Sequence, residues 1–310
     1  MRLTLVLLGL VSLQAQEYQP LSIKVEVNLV NIAFVVRDAS GALARNLTKD
    51  DIEVFEDGVR QDVKFFSRSD DLPLRLGLVV DVSDSQDKFL KPHRRDLEAF
   101  VAGAITPRDR ALLVSFSDHI REVSDFTSSA SGLMEALDRF QKEGGRKFPE
   151  LEPDDTRVDG TALFDAIYVT ATQKLKPAAG DRKALILFSD GEDNSSAHDL
   201  MDAIEAAQSA DSLIYTVRYT SSRHGRLTAR NRYGIREMNR LALETGGASF
   251  DASKKEVRDS LQQVAGELRA MYEVGYITSN RARDGLFRKV VIRFKQDGMT
   301  VRAKPGYYAR

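Results

Sequence analysis

Cysteine is absent from all 310 residues, so the chain has no disulfide framework, no lipobox and no thiolate metal site. A strong charge of either sign is also missing, with 45 Lys and Arg against 46 Asp and Glu. Nothing in that balance points to nucleic acid as a partner. Beyond the first residues no apolar run is long enough to cross a bilayer, so no integral membrane segment is expected once a leader is removed. The four histidines, His93, His119, His198 and His224, lack zinc spacing. Neither a Gly-x-Ser-x-Gly nucleophile elbow nor a phosphate-binding glycine loop occurs.

The chain opens with Met1-Arg2, the apolar stretch Leu3 to Leu13, and Gln14-Ala15-Gln16. This resembles a secretory signal peptide over residues 1–15, cleaved after Ala15, although Leu13 stands where a small residue is expected. A buried N-terminal strand or helix is the alternative. An exported chain free of disulfides fits a bacterial periplasmic or secreted protein.

At 42% hydrophobic and 29% charged, the composition is that of a globular protein, long enough for one full α/β domain and a smaller companion. From Ile23 to Val36 apolar residues largely alternate. Ile52 to Phe55 and Val63 to Phe66 flank Asp57-Gly58 in a hairpin-like pattern. Residues 16–72 therefore read as a small antiparallel β segment, closed by the polar, Pro-containing break from Asp70 to Pro73.

Apolar runs then alternate with helical patterns. The runs are Leu76–Val80, Ala111–Phe116, Ala184–Phe188, Leu213–Val217 and Ala248–Phe250. The helices are expected around Pro92–Ala102, Ser131–Phe140, Thr161–Leu175, Asp199–Ala210, Ile235–Thr245 and Lys254–Met271. Continuous apolar strands alternating with helices predict an α/β fold over residues 73–271, a doubly wound, mainly parallel sheet covered on both faces. Residues 272–310 return to β texture, with Tyr272–Ile277, and with Phe287–Phe294 and Met299–Arg302 flanking Asp297-Gly298. Because short strands need partners, this C-terminal segment is expected to pair with residues 16–72 in one accessory β domain.

In an open parallel sheet, ligands collect outside the carboxyl ends of the strands. Leu76–Val80 leads into Asp81, and Leu185–Phe188 leads into Ser189-Asp190, so both aspartates fall on that rim; Thr161 opens a helix that can reach it. Alternate residues of a non-helical turn point the same way, so Asp81, Ser83 and Ser85 can share one target. Two carboxylates and three hydroxyls make an oxygen-only donor set, which selects Mg²⁺, with Mn²⁺ or Ca²⁺ as alternatives, over zinc or copper. Five side chains leave one position for an anionic ligand, for which a partner's carboxylate is the natural candidate. Each fragment alone has a plainer explanation as a helix cap or a turn; three in order, two at strand ends, argue for a site.

Asp81-Val82-Ser83-Asp84-Ser85, Gly160-Thr161-Ala162-Leu163 and Ser189-Asp190-Gly191 resemble the metal-ion-dependent adhesion site of the von Willebrand factor type A (VWA) domain family, over about Leu74 to Met271. The resemblance implies a doubly wound sheet in which Asp81, Ser83, Ser85, Thr161 and Asp190 hold Mg²⁺, Asp190 often through water. The flanks, Asn46 to Gly58 and Pro305-Gly306-Tyr307-Tyr308, are similar to exported bacterial proteins that carry this domain. Asp84 departs from the small residue the family often has there.

Two loops stand near the expected rim. Ser221–Gly234 is basic, with Arg223, His224, Arg226, Arg230 and Arg232. Lys142–Asp159 feeds Thr161. Either could guide a partner, or be merely solvated. The resulting expectation is a non-enzymatic exported module that binds a protein or peptide offering an acidic side chain. A metal-dependent hydrolase is the alternative, without an evident nucleophile or general base. A structural component of an envelope complex, with a metal that stabilises the fold, is the third.

Overall fold

The computed structural model describes residues 29–68, 72–151, 160–178, 180–220, 226–254 and 257–309; the expected leader at 1–15 lies outside them. The chain begins with four strands, β1 (Leu29–Arg37), β2 (Ile52–Glu56), β3 (Val59–Gln61) and β4 (Val63–Arg68). The α/β region follows. It comprises β5 (Leu74–Asp81), α1 (Leu90–Ala104), β6 (Arg110–Phe116), β7 (Ile120–Thr127), α2 (Ala130–Glu143), α3 (Leu163–Val169), β8 (Arg182–Ser189), α4 (Leu200–Ser209), β9 (Ser212–Arg218), α5 (Ala229–Thr245), β10 (Ser249–Asp251) and α6 (Val257–Arg269). Four strands end it, β11 (Tyr272–Ile277), β12 (Phe287–Phe294), β13 (Thr300–Ala303) and β14 (Gly306–Tyr308).

The six-stranded central sheet runs β10-β9-β8-β5-β6-β7. All its pairings are parallel except β6 with β7. Alternation explains the continuous apolar runs. In β8, Ala184, Ile186 and Phe188 pack on one face with Leu97 of α1, Leu133 of α2, and Leu261, Val264 and Leu268 of α6. Leu185 and Leu187 pack on the other with Ile167 of α3, Ile204 of α4 and Leu241 of α5. A strand covered on both faces has no polar side to show, hence its unbroken Val, Ile and Leu texture.

The flanking segments interleave into two antiparallel sheets, β13-β1-β11-β4 and β14-β12-β2-β3. They share a core that includes Ile32, Phe34, Val54, Tyr272, Tyr276 and Ile292. Buried Glu56 of β2 accepts hydrogen bonds from the hydroxyls of Tyr276 at 2.8 Å and Tyr307 at 2.9 Å, which ties the two sheets together. This β unit grips the α/β region through α6, where Glu267 is held by Arg37 of β1 and Arg302 of β13.

Several local expectations change. Asp57-Gly58 does turn the chain, but it joins β2 to β3, while Val63–Arg68 pairs with β11 in the other sheet. Asp297-Gly298 joins no hairpin, because β12 pairs with β2 and β14 whereas β13 pairs with β1. In both places a longer partner elsewhere outcompetes the local one. The edge strand β7 has no counterpart in the sequence reading; with Arg121, Glu122 and Asp125 it carries the charge usual at sheet edges and lacks clean alternation. α5 begins at Ala229, so Arg230 and Arg232 stand on a helix rather than in a loop. The helix expected from Thr161 starts at Leu163 and continues beyond Val169 as a π-helical turn, Thr170–Leu175.

Candidate metal centre

The parallel pairing of Val80 with Phe188 brings the ends of β5 and β8 side by side, so Asp81 and Ser189 emerge as neighbours. Their main chains stay anchored: Val82 N–H donates to the Phe116 carbonyl at 2.9 Å, and Tyr219 N–H to the Ser189 carbonyl at 3.0 Å. Ser83 remains extended and a short 3-10 segment, Asp84–Phe89, follows at once. That turn folds the Ser83 and Ser85 hydroxyls back toward the strand ends.

The side chains form one network. Ser83 donates to Asp81 Oδ1 through its hydroxyl at 2.6 Å and its N–H at 3.0 Å. Ser189 Oγ donates to Asp81 Oδ2 at 2.6 Å. The Ser83 and Ser85 oxygens lie 3.3 Å apart. Ser85 Oγ in turn donates to Asp190 Oδ2 at 2.9 Å, and the Gln86 amide donates to the same oxygen at 2.7 Å. Asp190 Oδ1 accepts from Glu192 N–H at 3.1 Å.

Thr161 arrives by a different route. Its N–H donates to Asn194 Oδ1 at 2.7 Å, and its carbonyl accepts from Asn194 N–H at 3.1 Å. Phe164 N–H reaches Asp193 Oδ1 at 3.2 Å. The start of α3 is thereby fastened to the segment that follows Asp190. Gly160, at φ +141°, makes this possible, since a Cβ there would lie 2.5 Å from Asn194 Oδ1. Thr161 is a buried residue, and its hydroxyl makes no hydrogen bond among the described residues. Asp81, Ser83, Ser85 and Asp190 are thus joined directly, and Thr161 is set beside them without a bond to either carboxylate.

Gly191 closes the turn against α5. It sits at φ +82°, and a Cβ would lie 2.3 Å from the Gly234 carbonyl oxygen. Backbone packs on backbone here, which only glycine at both positions allows.

Electrostatics favour a cation. Asp81 is fully buried and Asp190 nearly so, yet neither has an ion pair with Lys, Arg or His among the described residues. Burial pushes Asp81 up to about 7 against the hydrogen bonds from Ser189 and Ser83, and repulsion from Asp190 adds to the rise. Burial and then Asp190 also push Glu192 up, while Arg230, 3.6 Å away, pulls it back. Buried carboxylates with no counter-charge are costly, and a divalent ion among hard oxygens relieves that cost. The residues present therefore fit the expected group. Among the described residues no three His, Cys, Asp or Glu side chains gather into a metal site, so hydroxyl donors are essential to this one.

Ser189 acts through its hydroxyl, and Gln86 and Asn194 join the network, none of which the sequence reading assigned. Gln86 follows Ser85 directly and Asn194 lies in the Ser189-Asp190-Gly191 continuation, but an isolated amide has no spacing that marks it. Asp84 is exposed. His93 lies buried beside Tyr219, with ring centroids 4.2 Å apart, while His119 and His198 pair with Glu150 and Asp165, each at 2.7 Å. Arg223, His224 and residues 152–159 of the two loops lie outside the described residues.

A family model described as the von Willebrand factor type A domain matches residues 76–267, which take in all three rim segments. The chain belongs to the VWA family. Solved structures similar to it include BatB from Bacteroides thetaiotaomicron, at 18% identity and TM-score 0.46, covering 63% of this chain and 98% of that one. An aerotolerance-related membrane protein from Bacteroides fragilis is similar at 16% identity and TM-score 0.47, again with 63% and 98% covered. Proximal thread matrix protein 1 from the mussel byssus, in a form with a zinc-occupied MIDAS motif, is similar at 14% identity and TM-score 0.47, covering 69% of this chain and 50% of that one. A comparison with curated proteins gives no match. Likeness at these scores carries no information about the ligand of this VWA domain.

Proposed function

We propose that the chain is an exported binding protein, without enzymatic activity, whose VWA domain engages the acidic side chain of a protein or peptide partner in a Mg²⁺-dependent way. The observation that carries this reading is the buried Asp81–Asp190 pair, which among the described residues has no cationic side chain as partner and is ringed by hydroxyls. Asp81, Ser83, Ser85, Thr161 and Asp190 would hold the ion, with Mn²⁺ or Ca²⁺ as substitutes. Bound there, the ion supplies an open coordination position for a partner's carboxylate. Ser189 and Gln86 orient the two aspartates. Beside the rim, Glu192, Arg230 and Tyr233 line a depression of about 320 Å³, where the side chains next to a docked carboxylate would rest.

The apolar stretch before Ala15 supports export to the periplasm or beyond. Among the described residues no helix is long and apolar enough to cross a membrane. The interleaved strands support a division into a VWA domain at 73–271 and one accessory β domain built from 16–72 and 272–310.

Capture of partners from a native envelope fraction tests the reading, with wild type and Asp81→Ala compared in Mg²⁺ and in chelator. A partner retained only by wild type in Mg²⁺ is expected. The same partners in all four conditions would rule the proposal out.

A further inference from the structure

A cleft of about 530 Å³ opens at the opposite end of the central sheet, between the VWA region and the accessory β strands. Lys183 of β8 and Asp211 just before β9 line it from the central sheet, and Asn31 of β1 and Lys304 just after β13 line it from the accessory strands. Lys183 begins the strand that ends at Ser189, so the cleft is about 20 Å from the metal rim at ~3.3 Å per residue.

Most charges around the cleft are matched. Arg182 pairs with Glu273 at 3.3 Å, Asp181 pairs with Arg75 at 2.5 Å, and Lys176 Nζ donates to Ser209 Oγ at 2.8 Å. The ammonium groups of Lys183 and Lys304 are not. Among the described residues neither has an ion pair or a hydrogen bond, although Lys183 is only 8% exposed. Burial lowers the pKa of both, and Asp211 opposes that shift in each case. Asp211 lies within ion-pair distance of neither, and it cannot match two cations. Neither ammonium is closed off from water, so each faces the cleft with a charge that no group among the described residues answers, and these two line one cleft from distant parts of the chain.

We propose that this cleft binds a small phosphorylated molecule, its phosphate group held between Lys183 and Lys304. A phosphate monoester carries close to two negative charges at neutral pH and offers three acceptor oxygens to ammonium donors. The buried side-chain oxygen of Asn31 has no hydrogen-bond partner among the described residues and Asn31 lines the same cleft, so the ligand carries a hydroxyl to donate to it. The volume suits a small metabolite. A second cleft of about 360 Å³ shares Asn31, Asp211 and Lys304 and continues toward Tyr307 and Tyr308, which gives the rest of the ligand a place. Such a ligand would bridge the VWA domain and the accessory strands.

Calorimetric titration of the full chain with glycerol 3-phosphate tests this, at matched ionic strength in chloride and with chelator present so that the metal rim plays no part. One saturable equivalent is expected for wild type, with affinity at least ten-fold weaker in Lys183→Met and in Lys304→Met. In phosphate-free buffer both variants should melt at a higher temperature than wild type, because an unpaired cation is gone; lysines that merely supported the fold would give the opposite. No binding at millimolar ligand, or binding of unchanged strength in both variants, would overturn the proposal. So would inorganic phosphate binding as tightly as the ester, since that removes the role of Asn31. Should either variant fail to fold, hydrogen exchange on wild type decides: ligand-dependent protection is expected at residues 29–33 and 303–309, and its absence there overturns the assignment.

Discussion

Ser85 Oγ lies 2.9 Å from Asp190 Oδ2, a contact that spans 105 residues of sequence and joins the ends of β5 and β8. With Ser189 bound to Asp81 in the reverse direction, each strand end supplies a hydroxyl to the other's carboxylate. Among the described residues the two aspartates are therefore positioned by hydroxyls, the Gln86 amide and main-chain N–H groups. Such a cradle fixes the oxygens without neutralising them.

Replacing Asp81 with Asn should separate fold from site. The substitution removes a buried charge that burial already pushes toward protonation, so stability in chelator is expected to equal or exceed that of wild type. Wild type should gain about 2.7 kcal/mol when Mg²⁺ reaches about 100 times its dissociation constant. For a chain of this size that is a rise of about 4 °C in melting temperature. Asp81→Asn should show no such rise, as thermal melts with and without Mg²⁺ will check.

Gln86→Leu takes one of the donors from Asp190 Oδ2 while leaving Asp81 and its serines in place. Loss of an orienting partner typically weakens metal binding by about 10–100-fold. That drop should appear in a Mn²⁺ titration of the variant, with the far-ultraviolet circular dichroism unchanged.

Gly191 and Gly58 share nearly the same backbone angle, φ +82° and +83°, in different surroundings. Alanine at Gly58 meets nothing within 4 Å and should cost about 1–2 kcal/mol, the strain of the left-handed conformation. Alanine at Gly191 must also displace the Gly234 carbonyl, so its melting temperature should fall further than that of Gly58→Ala, and metal affinity should fall with it. Equal losses in the two variants would show that α5 does not brace the Asp190 turn.

Asp109 supplies the pH dependence. Burial acts to raise its pKa, but hydrogen bonds from Arg269, Thr106 and the Leu74 N–H outweigh it and hold the group at about 2. Since the ordinary value is 3.8, the folded state favours the carboxylate. Its stabilisation is complete above about pH 4 and disappears as pH falls through about 2. Asp109→Asn should therefore lower stability at pH 7 and flatten the acid limb of the stability profile between about pH 4 and 2, measured by urea unfolding at several pH values.

The central strands were legible because burial on both faces leaves them no polar alternation, and the rim motifs because their residues are contiguous at strand ends. The pairing of short strands was not. Asp57-Gly58 and Asp297-Gly298 are equally good local turns, yet only the first closes a hairpin, since β13 finds β1 and β12 finds β2. β7 was missed because its charged residues suit an edge better than a periodic pattern. Gln86 and Asn194 were invisible for another reason: a lone amide acquires its role only when the fold brings a carboxylate or a main-chain N–H to it. The unpaired state of Lys183 and Lys304 is likewise a property of tertiary structure, as nothing in their local sequence shows which charges remain unmatched.

The account rests on a divalent ion held by Asp81 and its neighbours, and isothermal titration of the full chain with Mg²⁺, wild type beside Asp81→Ala, measures that directly. One equivalent of Mg²⁺ bound by wild type, and none by Asp81→Ala, is the predicted result. No binding at millimolar Mg²⁺, or the same isotherm from both proteins, would contradict it.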